Sequence, residues 1–202
     1  MNFKLWLSEI RNNRKRLLIA LLFIVLASFA YSLSGDYLTD HQGYVSAQDL
    51  ILDHFGPYNL SFIFVWFFLF VGFIFFTYPI IFKPQELHYV LIMFSMFVIV
   101  RSGFIMFTHL AVPADAILPT FPGYFQVLNF ANDLFFSGHT GFPFLGFLVF
   151  RKNKLISYFM LFSSILLGIT VLLMHVHYSI DVFSAYFITY GIYVFGNKFV
   201  KK

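Results

Sequence analysis

The sequence predicts an all-α integral membrane protein: a six-span transmembrane helix bundle with both termini cytoplasmic. Three observations carry that expectation. The chain is 60% hydrophobic and only 11% charged, a balance that soluble domains do not show. Its apolar residues fall into runs separated by charged or turn-rich breaks, and its basic residues gather beside one set of run ends. At ~20 apolar residues per crossing plus loops, 202 residues hold about half a dozen spans and leave no room for a second folded domain.

Residues 1–16 read as a cytoplasmic interfacial segment, because Phe3, Leu5, Trp6, Leu7 and Ile10 alternate with polar residues as in a short helix lying on a membrane surface. Basic-then-apolar order is also that of a signal peptide. The run Leu17 to Leu33 is long for a signal core and no clear small-x-small site follows it, so a retained first span is expected. The remaining spans are Leu60 to Phe82, Tyr89 to Phe107, Thr140 to Phe150, Leu155 to Met174 and Tyr178 to Val200. The fourth is short and contains Pro143, which the first turns of a helix tolerate. Between the first two spans, "SGDYLTDHQGYVSAQDLILDHFGPYN" is expected to form a partly amphipathic interfacial helix, with Leu50, Ile51, Leu52 and Phe55 toward lipid.

Six crossings put both termini on one side, and twelve of the thirteen Lys and Arg then share it, Arg101 being the exception. By the positive-inside rule that side is the cytoplasm. The same clustering explains the net charge of +4 without nucleic acid, which is not expected as a partner. No internal repeat of the inverted-transporter kind is evident. The chain has no cysteine, which excludes a disulfide framework, a thiolate metal site and a cysteine nucleophile. Histidine and carboxylate chemistry remains.

Those residues collect on the other side, in three stretches. In "RSGFIMFTHLAVP", Arg101 lies near the outer end of its span, where an ionisable residue is a functional hypothesis by default. Snorkelling to the interface is the plainer alternative. In "NDLFFSGHT", a helix starting near Ser137 would bring backbone N–H groups, the Ser137 and Thr140 hydroxyls and the His139 ring to one point, an arrangement suited to an anion such as phosphate. Helix capping accounts for the hydroxyls alone. In "HVHYSIDVFSAY", His177 and Asp181 are spaced to share a helix face, so the carboxylate can orient the imidazole. A metal site of His139, His175, His177 and Asp181 competes with this reading, but His175 and His177 would point apart on a helix.

"SGHT", followed 38 residues later by "HYSIDV", resembles the type 2 phosphatidic acid phosphatase superfamily, and more closely its sphingomyelin synthase branch. The branch pattern D-x-x-x-S-G-H-T matches Asp133 to Thr140, and H-Y-[ST]-x-D-V-x-x-A-Y-[FY]-I-T matches His177 to Thr189. A weaker match covers Arg101, Thr108, Leu110 and Pro113. The resemblance implies a membrane catalytic domain over 17–202, acting on lipid phosphate at the extracytoplasmic or lumenal face. His177 would be the nucleophile, Asp181 its orienter and His139 the general acid and base. Arg101, Ser137, Gly138, Thr140, Tyr178 and Asp133 would bind substrate.

Two elements of the wider superfamily are missing. A Lys-x6-Arg-Pro stretch is not found, and the Arg expected six residues before the nucleophile is Val171. A phosphomonoester carries close to two charges at neutral pH and a diester one, so a single Arg suits a diester. The expectation is a phosphotransferase moving a headgroup from a phospholipid to a lipid alcohol of the ceramide or diacylglycerol type, without cofactor or metal. A lipid phosphate phosphatase using water, and a non-catalytic lipid-binding or transport protein, are the alternatives. Oligomeric state is not indicated.

Overall fold

The computed structural model describes residues 3–41, 45–128 and 133–200. The chain is an all-α membrane protein. Its helices are α1 (Phe3–Asn12), α2 (Arg14–Asp40), α3 (Phe68–Phe82), α4 (Leu87–Phe107), α5 (Gly138–Val149), α6 (Lys154–Leu173) and α7 (Ser179–Val200). A π-helical turn, Ile63–Phe67, leads into α3, and the short turn Pro84–Glu86 leads into α4. Among the described residues, five helices are long and apolar enough to cross a membrane: α2, α3 with its π turn, α4 with its leading turn, α6 and α7.

The expected fourth span differs. It is α5, a helix of 12 residues, about 18 Å at ~1.5 Å per residue against a hydrocarbon core of ~30 Å. It is walled in by protein instead of lipid: Gly141, Phe142, Pro143, Leu145, Gly146, Leu148 and Val149 are all buried, against α6 and α7. The expected first span is also longer than its apolar run, because α2 continues past Leu33 to Asp40. Residues of the expected interfacial helix therefore extend α2, and the rest form a strap from Val45 to Asn59 with one tight turn at Leu52–His54. Leu52 points inward at 5% exposure while Leu50 is 81% exposed, so the strap does not present one apolar face.

In lipid, tails are as apolar as leucine, and helices associate through close packing. The buried positions of α2 are Ala20, Ala27, Ser34, Gly35 and Leu38: all but Leu38 are small and, spaced in near-heptads, let α2 lie flat along α4. Its other faces expose Leu18, Leu21, Val25 and Phe29, as a lipid-facing helix does. At the α5–α6 contact, a Cβ added to Gly146 would stand 2.9 Å from the sulfur of Met160. Phe75, Met93, Leu145 and Met160 complete the core. The expected N-terminal helix forms as α1, and Trp6 Nε1 donates to Ile80 O at 2.7 Å. That carbonyl's usual helical donor would be residue 84, which is Pro84 and has no N–H.

The helices do not end level. Ser164 Oγ donates to Thr140 O at 2.7 Å, fixing the start of α5 beside the middle of α6, which continues to Leu173, about 13 Å farther at ~1.5 Å per residue. Ser137 N donates to Asp181 O at 3.1 Å, so α5 and α7 begin together in a recess. Connecting segments close over it: Tyr58 N donates to Leu173 O at 2.7 Å and Ile117 N to Met174 O at 2.9 Å. Phe121, 2% exposed, wedges between Phe64 and Phe68, a burial worth ~1.5–3 kcal/mol when removed from water.

Candidate active site

The recess opens into a cavity of about 800 Å³. Arg101, Asp133, Gly138, His139 and His177 line one region of it, and the rest is apolar, with Phe73, Phe76 and Phe94 among its walls. It runs between α3 and α4 as far as Thr77. From Phe68, beside His139, to Thr77 is about 13 Å at ~1.5 Å per helical residue.

His177 stands just before α7, which starts at Ser179, so it does not share a helix face with Asp181 in the way the spacing allowed. The pairing with Asp181 forms nonetheless: Nδ1 lies 3.3 Å from Oδ2. A carboxylate only accepts, so Nδ1 carries the hydrogen and Nε2 keeps its lone pair. Oδ2 also accepts the Tyr178 amide at 3.0 Å, the reach of a first-turn acid back to the helix start. Asp181 is fully buried, and its Oδ1 has no partner in the protein. An imidazole held this way can act as nucleophile or base through Nε2.

His139 is in the first turn of α5. Its ring is held between Phe64 and Phe68, with centroids 3.8 and 4.1 Å away. Those two phenylalanines come from either side of the point where the π turn passes into α3, and π turns inside helices often mark functional sites. His139 Nε2 has no partner in the protein, which leaves a buried polar atom in a residue that lines the cavity.

Arg101 is held on three sides. Nε donates to Phe136 O at 2.8 Å and Nη1 to Asp133 Oδ2 at 2.9 Å, and Nη2 faces Asp133 Oδ1 at 2.9 Å. Its guanidinium lies against the start of α5, where a Cβ on Gly138 would stand 3.2 Å from Nε. Glycine therefore lets the cation approach the helix N-terminus, whose amides favour an anion.

Three expected binding residues serve the frame. Ser137 and Thr140 are fully buried, Thr140 Oγ1 donates to Ser137 Oγ at 3.3 Å, and neither residue lines the cavity. Tyr178 is 2% exposed. Its hydroxyl donates to Ala111 O and accepts from Ala47 N, both at 2.9 Å. It pins the strap, the segment after α4 and the start of α7 at one point, beside the Ala111 N to Val45 O bond at 3.1 Å.

His175 turns away from the other two histidines. Its φ is +56°, and Nδ1 donates to Asp115 at 2.9 Å. Among the described residues, no three His, Asp or Glu side chains converge at metal-ligating spacing. Sequence reasoning gave Asp115 no role. It also missed Asp49, 8% exposed, whose Oδ2 accepts from Ser179 N at 2.7 Å and Ser179 Oγ at 2.8 Å. The Asp49 Oδ1 accepts the Ile51 and Leu52 amides at 2.9 and 3.2 Å. Burial alone would raise its pKa, but the donors from Ser179, Ile51 and Leu52 outweigh it and hold the carboxyl below its ordinary range.

Residues 131–198 match the family model described as PAP2 superfamily C-terminal. The match takes in Asp133, His139, His177 and Asp181 and leaves out Arg101 and the first four helices. Comparison with curated proteins and with solved structures gives no match.

Proposed function

We propose, from the likeness of residues 131–198 to the PAP2 superfamily and from the contents of the cavity, that the protein is a lipid phosphotransferase of the sphingomyelin synthase kind, working at the extracytoplasmic face. His177 Nε2 attacks the phosphorus of a phospholipid, and the phosphorus–oxygen bond to the diacylglycerol breaks. His139 delivers the proton that the departing oxygen needs. A lipid alcohol then attacks the phosphohistidine, His139 takes the hydroxyl proton, and the phosphorus–nitrogen bond breaks to release the product and restore His177. Asp181 orients His177 and stabilises its positive charge. Arg101 and the first amides of α5 hold the phosphoryl oxygens.

The observation that carries this reading is the pairing of Arg101 with Asp133 at the polar region of a phenylalanine-walled cavity. One cation, already offset by one carboxylate, is poorly matched to a doubly charged monoester and better matched to a singly charged diester. The apolar walls suit the lipid tails.

The test is turnover by purified protein in mixed micelles. Phosphatidylcholine, phosphatidylethanolamine, phosphatidylglycerol and phosphatidic acid are each supplied with ceramide or diacylglycerol, and products are identified by mass. A new headgroup-bearing lipid, absent with His177→Ala, is the expected result. Phosphatidic acid consumed faster than any diester, with release of free phosphate, would overturn the transferase reading in favour of a phosphatase. No turnover of any lipid would overturn both.

A further inference from the structure

The N-terminus of α7 carries the His177–Asp181 pair, yet its own sequence leaves that helix start short of acceptors. The first free amides of a helix need partners. Asp181 supplies one, to Tyr178 N, while the same oxygen holds His177. Ser179 N is satisfied from far away in sequence, by Asp49 on the strap between α2 and α3. Asp49 is shaped for this: one oxygen fixes the strap's own turn through Ile51 and Leu52, and the other takes both the amide and the hydroxyl of Ser179.

Resting on the transferase reading above, we propose that Asp49 is a positioning residue for the reaction, capping α7 from the strap so that Asp181 stays on His177. Without Asp49, Ser179 N is an unpaired donor at the start of a half-buried helix turn, where leaving a donor unmet has a cost. The nearest remaining carboxylate on that turn is Asp181, whose Oδ1 has no partner. Asp181 then rotates toward the Ser179 amide, and the imidazole loses the group that fixes its tautomer. Arg101 is held by Asp133 and Phe136 O and not by the α7 turn, and the Ser137 N bond to α7 goes to the Asp181 main-chain oxygen and not to its carboxylate, so the loss falls mainly on turnover and not on binding.

Two readouts test this on the full chain in detergent: kinetics in the mixed micelles described above, and amide hydrogen exchange over residues 177–182. Asp49→Ala is expected to lower kcat about tenfold or more with KM within about twofold of wild type, and to raise exchange in 177–182 without raising it in α4 or α6. Asp49→Asn, which keeps a neutral acceptor, is expected to lose only about threefold in kcat. It carries the same test if the alanine variant does not fold. Unchanged exchange over 177–182, or a loss in kcat/KM that lies in KM, would overturn the proposal. If wild type turns over none of the lipids, the transferase reading fails by itself, and the exchange measurement still decides whether Asp49 caps α7.

Discussion

Arg101 and Asp133 meet as a fork, both terminal guanidinium nitrogens 2.9 Å from a carboxylate oxygen, although they come from α4 and from the segment before α5. Only arginine can make both contacts while its Nε reaches Phe136 O. Arg101→Lys is therefore expected to lower kcat/KM at least tenfold and to reduce the thermal midpoint in detergent. Equal activity and midpoint would show that a single point charge suffices.

Removing the carboxylate should change preference. Asp133→Asn leaves the Arg101 charge uncompensated, so discrimination against doubly charged substrates should weaken. The ratio of kcat/KM for phosphatidic acid to that for the best diester is expected to rise several-fold. A fall in that ratio would mean that Asp133 does not tune the cation.

Asp181→Asn preserves shape while removing the carboxylate that fixes the His177 tautomer. In a comparable His–Asp arrangement the same change costs roughly 10⁴ in kcat. A loss of two to four orders of magnitude in kcat is expected here, measured as headgroup transfer under saturating lipid.

Gly72 lines the cavity, and a Cβ there would meet only Phe142 Cε1, at 4.0 Å. Larger side chains should fit without disturbing the bundle while shortening the space for a lipid tail. Gly72→Leu is expected to slow lipids with long acyl chains several-fold more than dioctanoyl lipids. Equal slowing of both would place the tails elsewhere.

Asp49 sets an acid limit on stability. Its carboxyl is lower in the folded chain than the unfolded value of about 3.9. The stabilisation is therefore complete above that value and is lost as pH falls through the lowered one. The titratable neighbour, Tyr178, stays neutral throughout that range. Thermal midpoints between pH 6 and pH 3 are expected to fall less steeply for Asp49→Asn than for wild type, from a lower starting value.

Local sequence carried much of this. Apolar runs located α3, α4, α6 and α7, and spacing alone announced that Asp181 could reach His177. The shortness of α5 was legible, but its setting was concealed, because a helix buried by neighbouring helices is as apolar as one that crosses lipid. Ser137, Thr140 and Tyr178 read as ligand-binding groups, since a sequence does not say whether a hydroxyl meets a substrate or another part of the fold. Asp49 and Asp115 were hidden for the opposite reason. Their partners, Ser179 and His175, are distant in sequence, and an aspartate in an outward loop resembles ordinary solvated polarity until the chain folds back.

The unequal helix ends bear on how a substrate would arrive. Arg101 lies about 9 Å short of the end of α4 at Phe107, and α6 runs about 13 Å past its contact with the start of α5, at ~1.5 Å per residue. Under the function proposed above, a phospholipid with its phosphorus level with Phe107 and Leu173 would carry it above the two histidines. Such a substrate would have to sink out of register with the leaflet around it. Membrane thickness then becomes a kinetic variable: a thin bilayer should deliver headgroups closer to His177 than a thick one, so this protein's rate should follow the acyl length of its host lipids as well as that of its substrate.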